Sequence, residues 1–236
     1  QKDAAQAVKL DPKSSPAHTL LAQNLFLKRE VDAAKEHAIT ALRLRPTNFR
    51  AAIILGNCFL QNQELDNALR LFQRMNTVVP DNVEVLQHLG ITRLARKEVP
   101  QAKKIFEQVL TLQPDFAPAL APLVAIRLQQ KDVAGAMSLV ERQLQKAPDQ
   151  PAYLMMAAEL HQRRGENGQA LTALRRVQKL EPESPRPYLL IAQMQIKSGK
   201  TAEAIKEYQA LLKKKPGLVP ARMKLGVLLE HQGKIE

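Results

Sequence analysis

Seven prolines, Pro12, Pro46, Pro80, Pro114, Pro148, Pro182 and Pro216, follow one another at a constant interval of 34 residues. A fixed period of that size means that one supersecondary unit is copied along the chain. Each copy then buries its apolar face against its neighbours rather than in a shared central core. The period outranks length as a guide, because 236 residues alone would suggest one or two compact domains. With the period proline set at position 32, complete units run 15–48, 49–82, 83–116, 117–150, 151–184 and 185–218, with half units at 1–14 and 219–236. The expectation is a single array over 1–236, and, since both ends fall inside a unit, a piece of a longer one.

The positions within the unit repeat as well. Position 20 is Ala34, Ala68, Ala102, Ala136, Ala170 and Ala204; position 8 is Ala22, Gly56, Gly90, Val124, Ala158, Ala192 and Gly226. Position 24 is Ala38, Phe72, Phe106, Val140, Leu174 and Tyr208. Apolar residues at 3, 7, 8, 10 and 11, and again at 20, 21, 24, 27 and 28, have the helical period, so each unit reads as two antiparallel helices, A and B. Small residues at 8 and 20 let two backbones approach, the larger ones at 7 and 24 fill the space beside them, and proline at 32 stops helix B. The A–B turn is Lys28-Arg29-Glu30, Gln61-Asn62-Gln63-Glu64 and Arg96-Lys97-Glu98 early in the chain, and Gly165-Glu166-Asn167, Gly199-Lys200-Thr201 and Gly233-Lys234-Ile235 later. Glycine closes a helix in the left-handed conformation without strain, so the early turns are expected to adopt it with ordinary residues. Pro118 and Pro122 sit at positions 2 and 6 of one A helix; the second removes an internal hydrogen bond, so an irregular helix is expected over 117–129.

The small residue at 8, Ala at 20, bulky residue at 24 and Pro at 32 resemble the tetratricopeptide repeat, over essentially the whole chain. The resemblance implies an all-α fold, a right-handed superhelical α-solenoid of helical hairpins. Where the family usually has Trp or another aromatic, position 4 is His18, Ala52, Leu86, Leu120, Leu154, Tyr188 and Arg222, and where it usually has Tyr, position 11 is Leu25, Phe59, Arg93, Arg127, His161, Gln195 and Leu229. In style the Ala-, Gln- and Leu-rich chain is also similar to tetratricopeptide proteins of bacterial cell-envelope systems, including polysaccharide export.

The resemblance further implies that A helices line an inner surface through positions 2, 5, 6, 9, 12 and 13. Down that face the sequence places Gln23, Ile53, Ile54, Asn57, Gln87, His88, Met155, Met156, Glu159, Leu189 and Gln193 as candidate partner-binding residues, with Ala121 and Pro122 between them. Position 5 never carries a basic residue, which excludes the family's carboxylate clamp. An apolar groove for a peptide or helix is expected instead, with amides for its backbone. Methionine, unbranched and polarizable, suits such a surface.

No Gly-rich phosphate loop, His-Glu-x-x-His pattern or cysteine pair is present, and the five histidines are scattered, so no catalytic constellation, cofactor or metal is expected. Cys58, the single cysteine, lies in an apolar stretch and reads as a packing residue. Net charge is +12, and the unit 185–218 holds seven Lys/Arg against two Asp/Glu. That basic patch suggests an anionic partner surface. Nucleic acid is not expected, because few aromatics are left for stacking. No apolar run approaches the length of a membrane span. The resulting expectation is a protein-interaction scaffold for a protein or peptide partner. The alternatives are a substrate-recognition or assembly module of a larger enzyme or envelope complex, and self-association of array ends. The compartment, cytoplasm or bacterial periplasm and envelope, is left open.

Overall fold

Helix starts and stops recur with the period. In the computed structural model, which describes residues 2–231 and 233, the described residues form fourteen helices and no strand: α1 (Lys2–Leu10), α2 (Ser15–Leu27), α3 (Val31–Leu44), α4 (Phe49–Gln61), α5 (Leu65–Val78), α6 (Val83–Ala95), α7 (Val99–Leu112), α8 (Ala117–Gln129), α9 (Val133–Lys146), α10 (Pro151–Arg163), α11 (Asn167–Leu180), α12 (Pro185–Lys197), α13 (Thr201–Lys214) and α14 (Val219–His231). The fold is all-α, a run of helical hairpins. The turn residues Lys234 and Ile235 lie outside the described residues.

Each A helix from α2 to α12 closes in the same way. After α2, Arg29 N–H donates to the Phe26 carbonyl and Glu30 N–H to the Leu25 carbonyl, the paired bonds of a Schellman cap. That cap needs a left-handed residue at position 15. Gly165 (φ 76°), Gly199 (72°) and Gly233 (65°) supply it without strain, while Arg29 (66°), Gln63 (59°), Lys97 (63°) and Lys131 (59°) are forced into it. Each B helix ends at the period proline. Arg45 N–H bonds back to the Ala41 carbonyl, and Asn48 N–H then closes a turn over Pro46 onto the Arg45 carbonyl. Asn48 next starts α4, its side chain accepting from Ala51 N–H. The same side chain donates to Ser15 and Thr19, both buried, tying α2 to the turn.

The helices fall into two compact units, Gln1–Ala119 and Leu120–Glu236. In the first, each helix from α1 to α7 packs on the next, and the A helices α2, α4 and α6 also touch. Gly56 and Gly90 are required here by Phe72 and Phe106. A Cβ on Gly56 would stand 2.1 Å from Phe72 Cζ, and one on Gly90 2.6 Å from Phe106 Cε1. Both rings are fully buried. In the second unit, α9 through α14 pack in sequence. Ala158, Ala170 and Leu174 centre one apolar cluster, and Ala192, Ala204 and Tyr208 another.

At 117–129, α8 is one helix that continues through Pro122, and the hydrogen bond expected to be lost there is absent. Pro122 cannot donate to the carbonyl four residues back, that of Pro118. Gln87 Nε2, from α6, donates to that carbonyl instead at 2.9 Å. A side chain thus replaces the missing backbone bond.

Candidate functional site

In the first unit, Gln23, Ile53, Ile54 and Asn57 come together along one open depression of about 530 Å³. Ile53 and Ile54 are only 9% and 7% exposed and belong to the apolar clusters around Phe72 and Ala34. They present an edge to the depression, and their bodies hold the hairpins together. Gln23 Oε1 accepts from Arg50 Nη2 at 2.7 Å, so that amide is shared with a neighbouring A helix.

Gln87 and His88 do not line that depression. Gln87 is buried and turned to the Pro118 carbonyl, with its Oε1 left without a partner. His88 stacks on Phe72, ring centroids 5.2 Å apart and planes 10° from parallel. Burial pushes its pKa below the ordinary histidine value.

In the second unit, Met155, Met156 and Glu159 share a depression of about 560 Å³ with Ala121 and Ala152. Both methionines are half-buried. Small neighbours on α8 and α10 leave the space that the longer thioethers border. Glu159 pairs with Arg163 one turn on, at 3.0 Å. Glu181 and Arg186 add charge at the margin, Arg186 from position 2 of its repeat, one of the positions expected on this face. Leu189 packs instead on the Tyr188 cluster, and Gln193 is exposed outside the depression.

Family models described as tetratricopeptide repeat match residues 19–77, 59–126, 93–160, 127–194 and 161–225. The chain belongs to the tetratricopeptide repeat family. Among solved structures, the chain is similar to pilF of Pseudomonas aeruginosa (20% identity, TM-score 0.59, 90% of this chain and 96% of that one). It is similar to a tetratricopeptide repeat protein of Parabacteroides merdae (16%, TM-score 0.56, 93% and 87%). It is also similar to the hetero-tetramer Cut9-Hcn1 (14%, TM-score 0.58), where it covers 96% of its own length but 45% of that chain. At these identities the likeness shows the fold. No curated protein matches by sequence. Family and fold together support a protein-interaction scaffold.

The departures from the family at position 11 have a structural reason the sequence reading missed. Arg93 pairs with Glu98, Arg127 Nη1 with Asp132 Oδ2 at 3.0 Å, and His161 Nδ1 with Glu166 Oε2 at 2.6 Å. In three successive tetratricopeptide repeats a base at position 11 holds an acid at 16, across the turn whose left-handed residue lies between them. The five-residue spacing was visible in the sequence. Glu98 is held below the usual carboxylate range by the Arg93 and Arg96 guanidiniums.

Cys58 is fully buried, and burial pushes its thiol up to about 11, so it is not a thiolate at neutral pH. Among the described residues no group of three or more His, Cys, Asp or Glu is placed to hold a metal. No helix is long and apolar enough to cross a membrane.

Proposed function

We propose that this chain is a tetratricopeptide scaffold that holds an apolar peptide or helix of a partner protein, and that its second unit does so through the depression beside Met155 and Met156. The repeat boundaries 15–48 through 185–218 are part of this reading. It assigns the array a binding role and no catalytic step. The observation that carries it is the contrast between two pairs. Ile53 and Ile54 are buried members of core clusters, whereas Met155, which also packs on the Leu174 cluster, and Met156 are half-buried at an open depression of about 560 Å³. Adaptable thioethers beside alanine are suited to an aliphatic anchor. Glu159, Glu181 and Arg186 at the rim give orientation rather than the uniform positive charge a carboxylate clamp needs.

The test is affinity capture with the intact array and with Met155→Glu/Met156→Glu, whose side chains are partly solvated already. The double variant is expected to lose the retained partner while its thermal melt and helical circular dichroism stay unchanged. Full retention of the partner by the variant would sink the groove assignment. The basic repeat 185–218 is read as a second, anion-facing surface, to be checked by the salt dependence of capture.

A further inference from the structure

Position 4 performs a repeated task. His18 donates through Nε2 to the Pro12 carbonyl at 3.1 Å, Tyr188 through its hydroxyl to the Pro182 carbonyl at 3.2 Å, and Arg222 through Nη2 to the Pro216 carbonyl. In each case a long side chain reaches back six residues to the period proline. His18 and Tyr188 lie buried there, and Tyr188 shares its apolar cluster with Leu211 and Ala210 of the following B helix. Leu86, Leu120 and Leu154 occupy the same position as buried aliphatic side chains.

Ala52 is the smallest residue at position 4, a buried member of the Phe72 cluster that reaches no further than its methyl group. Beside it lies a cavity of about 430 Å³, within the roughly 300–1,000 Å³ range of ligand sites. Its walls are Leu42 of α3 and Leu71, Met75 and Val78 of α5. Pro46, the proline six residues back, also lines it. Among the described residues no donor reaches the Pro46 carbonyl. The slot therefore has an apolar body and a free acceptor, the two features that Tyr188 satisfies in its own repeat. Its surroundings are cationic. Arg74 lines the cavity, and Arg43 and Arg45 flank Leu42 and Pro46 in the chain. All three are exposed, without an ion-pair partner among the described residues.

We propose that this cavity is a binding site for a tyrosine side chain of a partner protein, set among acidic residues. Its ring takes the place that the Tyr188 ring takes in its own repeat, and its hydroxyl donates to the Pro46 carbonyl. Carboxylates beside that tyrosine complement Arg74, Arg43 and Arg45. The site shares no residue with the depression at Met155 and only Phe49 with the one at Ile53, and it stands whether or not the groove reading holds.

The test is a titration of the full array with acetyl-Glu-Glu-Tyr-Glu-Glu-amide, followed by methyl NMR. Shifts are expected at the methyls of Ala52, Leu71, Met75 and Val78. Replacing Tyr by Phe in the peptide weakens binding roughly fivefold, as for one lost hydrogen bond. Arg74→Glu weakens it roughly threefold at low salt. Ala52→Tyr fills the slot from within and abolishes binding. Ala52→Leu, which installs the residue found in three other repeats, does the same if the tyrosine variant does not fold. Shifts centred on the Met155 and Met156 methyls, no shift at millimolar peptide, or unchanged affinity in the folded Ala52 variant would each overturn the proposal.

Discussion

At the residue scale, the unit is built from complementary sizes at positions 8 and 24. Gly56 faces Phe72 and Gly90 faces Phe106, and neither ring has room to retreat, since both are fully buried. Gly56→Ala is therefore expected to destabilise the first unit by about 1–3 kcal/mol, the usual cost of overpacking, measured by urea titration. Position 15 gives a prediction of opposite sign. Lys131 holds φ 59° with an exposed side chain. A left-handed non-glycine residue costs about 1–2 kcal/mol, while glycine loses about 0.5–1 kcal/mol more entropy on folding. Lys131→Gly should thus stabilise the α8–α9 hairpin by about 0.5–1 kcal/mol, seen as slower amide exchange in that hairpin.

At the element scale, α8 depends on α6. Gln87 Nε2 serves the Pro118 carbonyl that Pro122 leaves unserved, but Gln87 Oε1 has no partner of its own. An orphaned carbonyl costs about 1–3 kcal/mol, and removing the amide also removes one orphaned oxygen. Gln87→Met keeps the volume and should therefore cost about 1 kcal/mol, with faster exchange confined to the first turns of α8. Unchanged exchange there would show that solvent serves the carbonyl equally well. The pairs at positions 11 and 16 act on the A–B turns in a similar local way.

At the scale of the whole molecule, stability in a repeat array is close to a sum of unit and neighbour contributions, so a stress in one stretch need not be shared by all. Acid is such a stress. His37 Nδ1 lies 2.9 Å from His18 Nδ1, so one of these nitrogens donates and the other accepts. Burial first, and the facing His18 second, hold His37 below the ordinary histidine pKa, against a smaller opposing pull from Glu36. His88 is lowered by burial. For both, the unfolded chain takes the proton more readily. Stability is therefore fully present above the ordinary value of about 6.5 and is lost as pH falls from there toward the depressed folded values. Both residues are in the unit 1–119. Amide exchange at pH 7.5 and 5.5 should show protection falling more steeply in residues 1–119, with His37→Gln flattening that dependence. Equal loss in both units would contradict it.

The amino-acid sequence by itself determined what acts over a few residues. The period, the helix pairs, the proline stops, the left-handed turns at position 15 and the small-against-large packing at 8 and 24 could all be read from spacing, because each depends on backbone geometry or on neighbours within one hairpin. Only the tertiary structure decided which apolar residues are spent on the core and which border open space. Ile53 and Met155 occupy the same position of the repeat, yet one is buried and the other half-buried, because their surroundings come from neighbouring helices. The bond from Gln87 to Pro118 spans 31 residues, and the cavity at Ala52 is bounded by α3 and α5. Such features depend on side-chain volume summed across several helices, a quantity that a periodic pattern averages away.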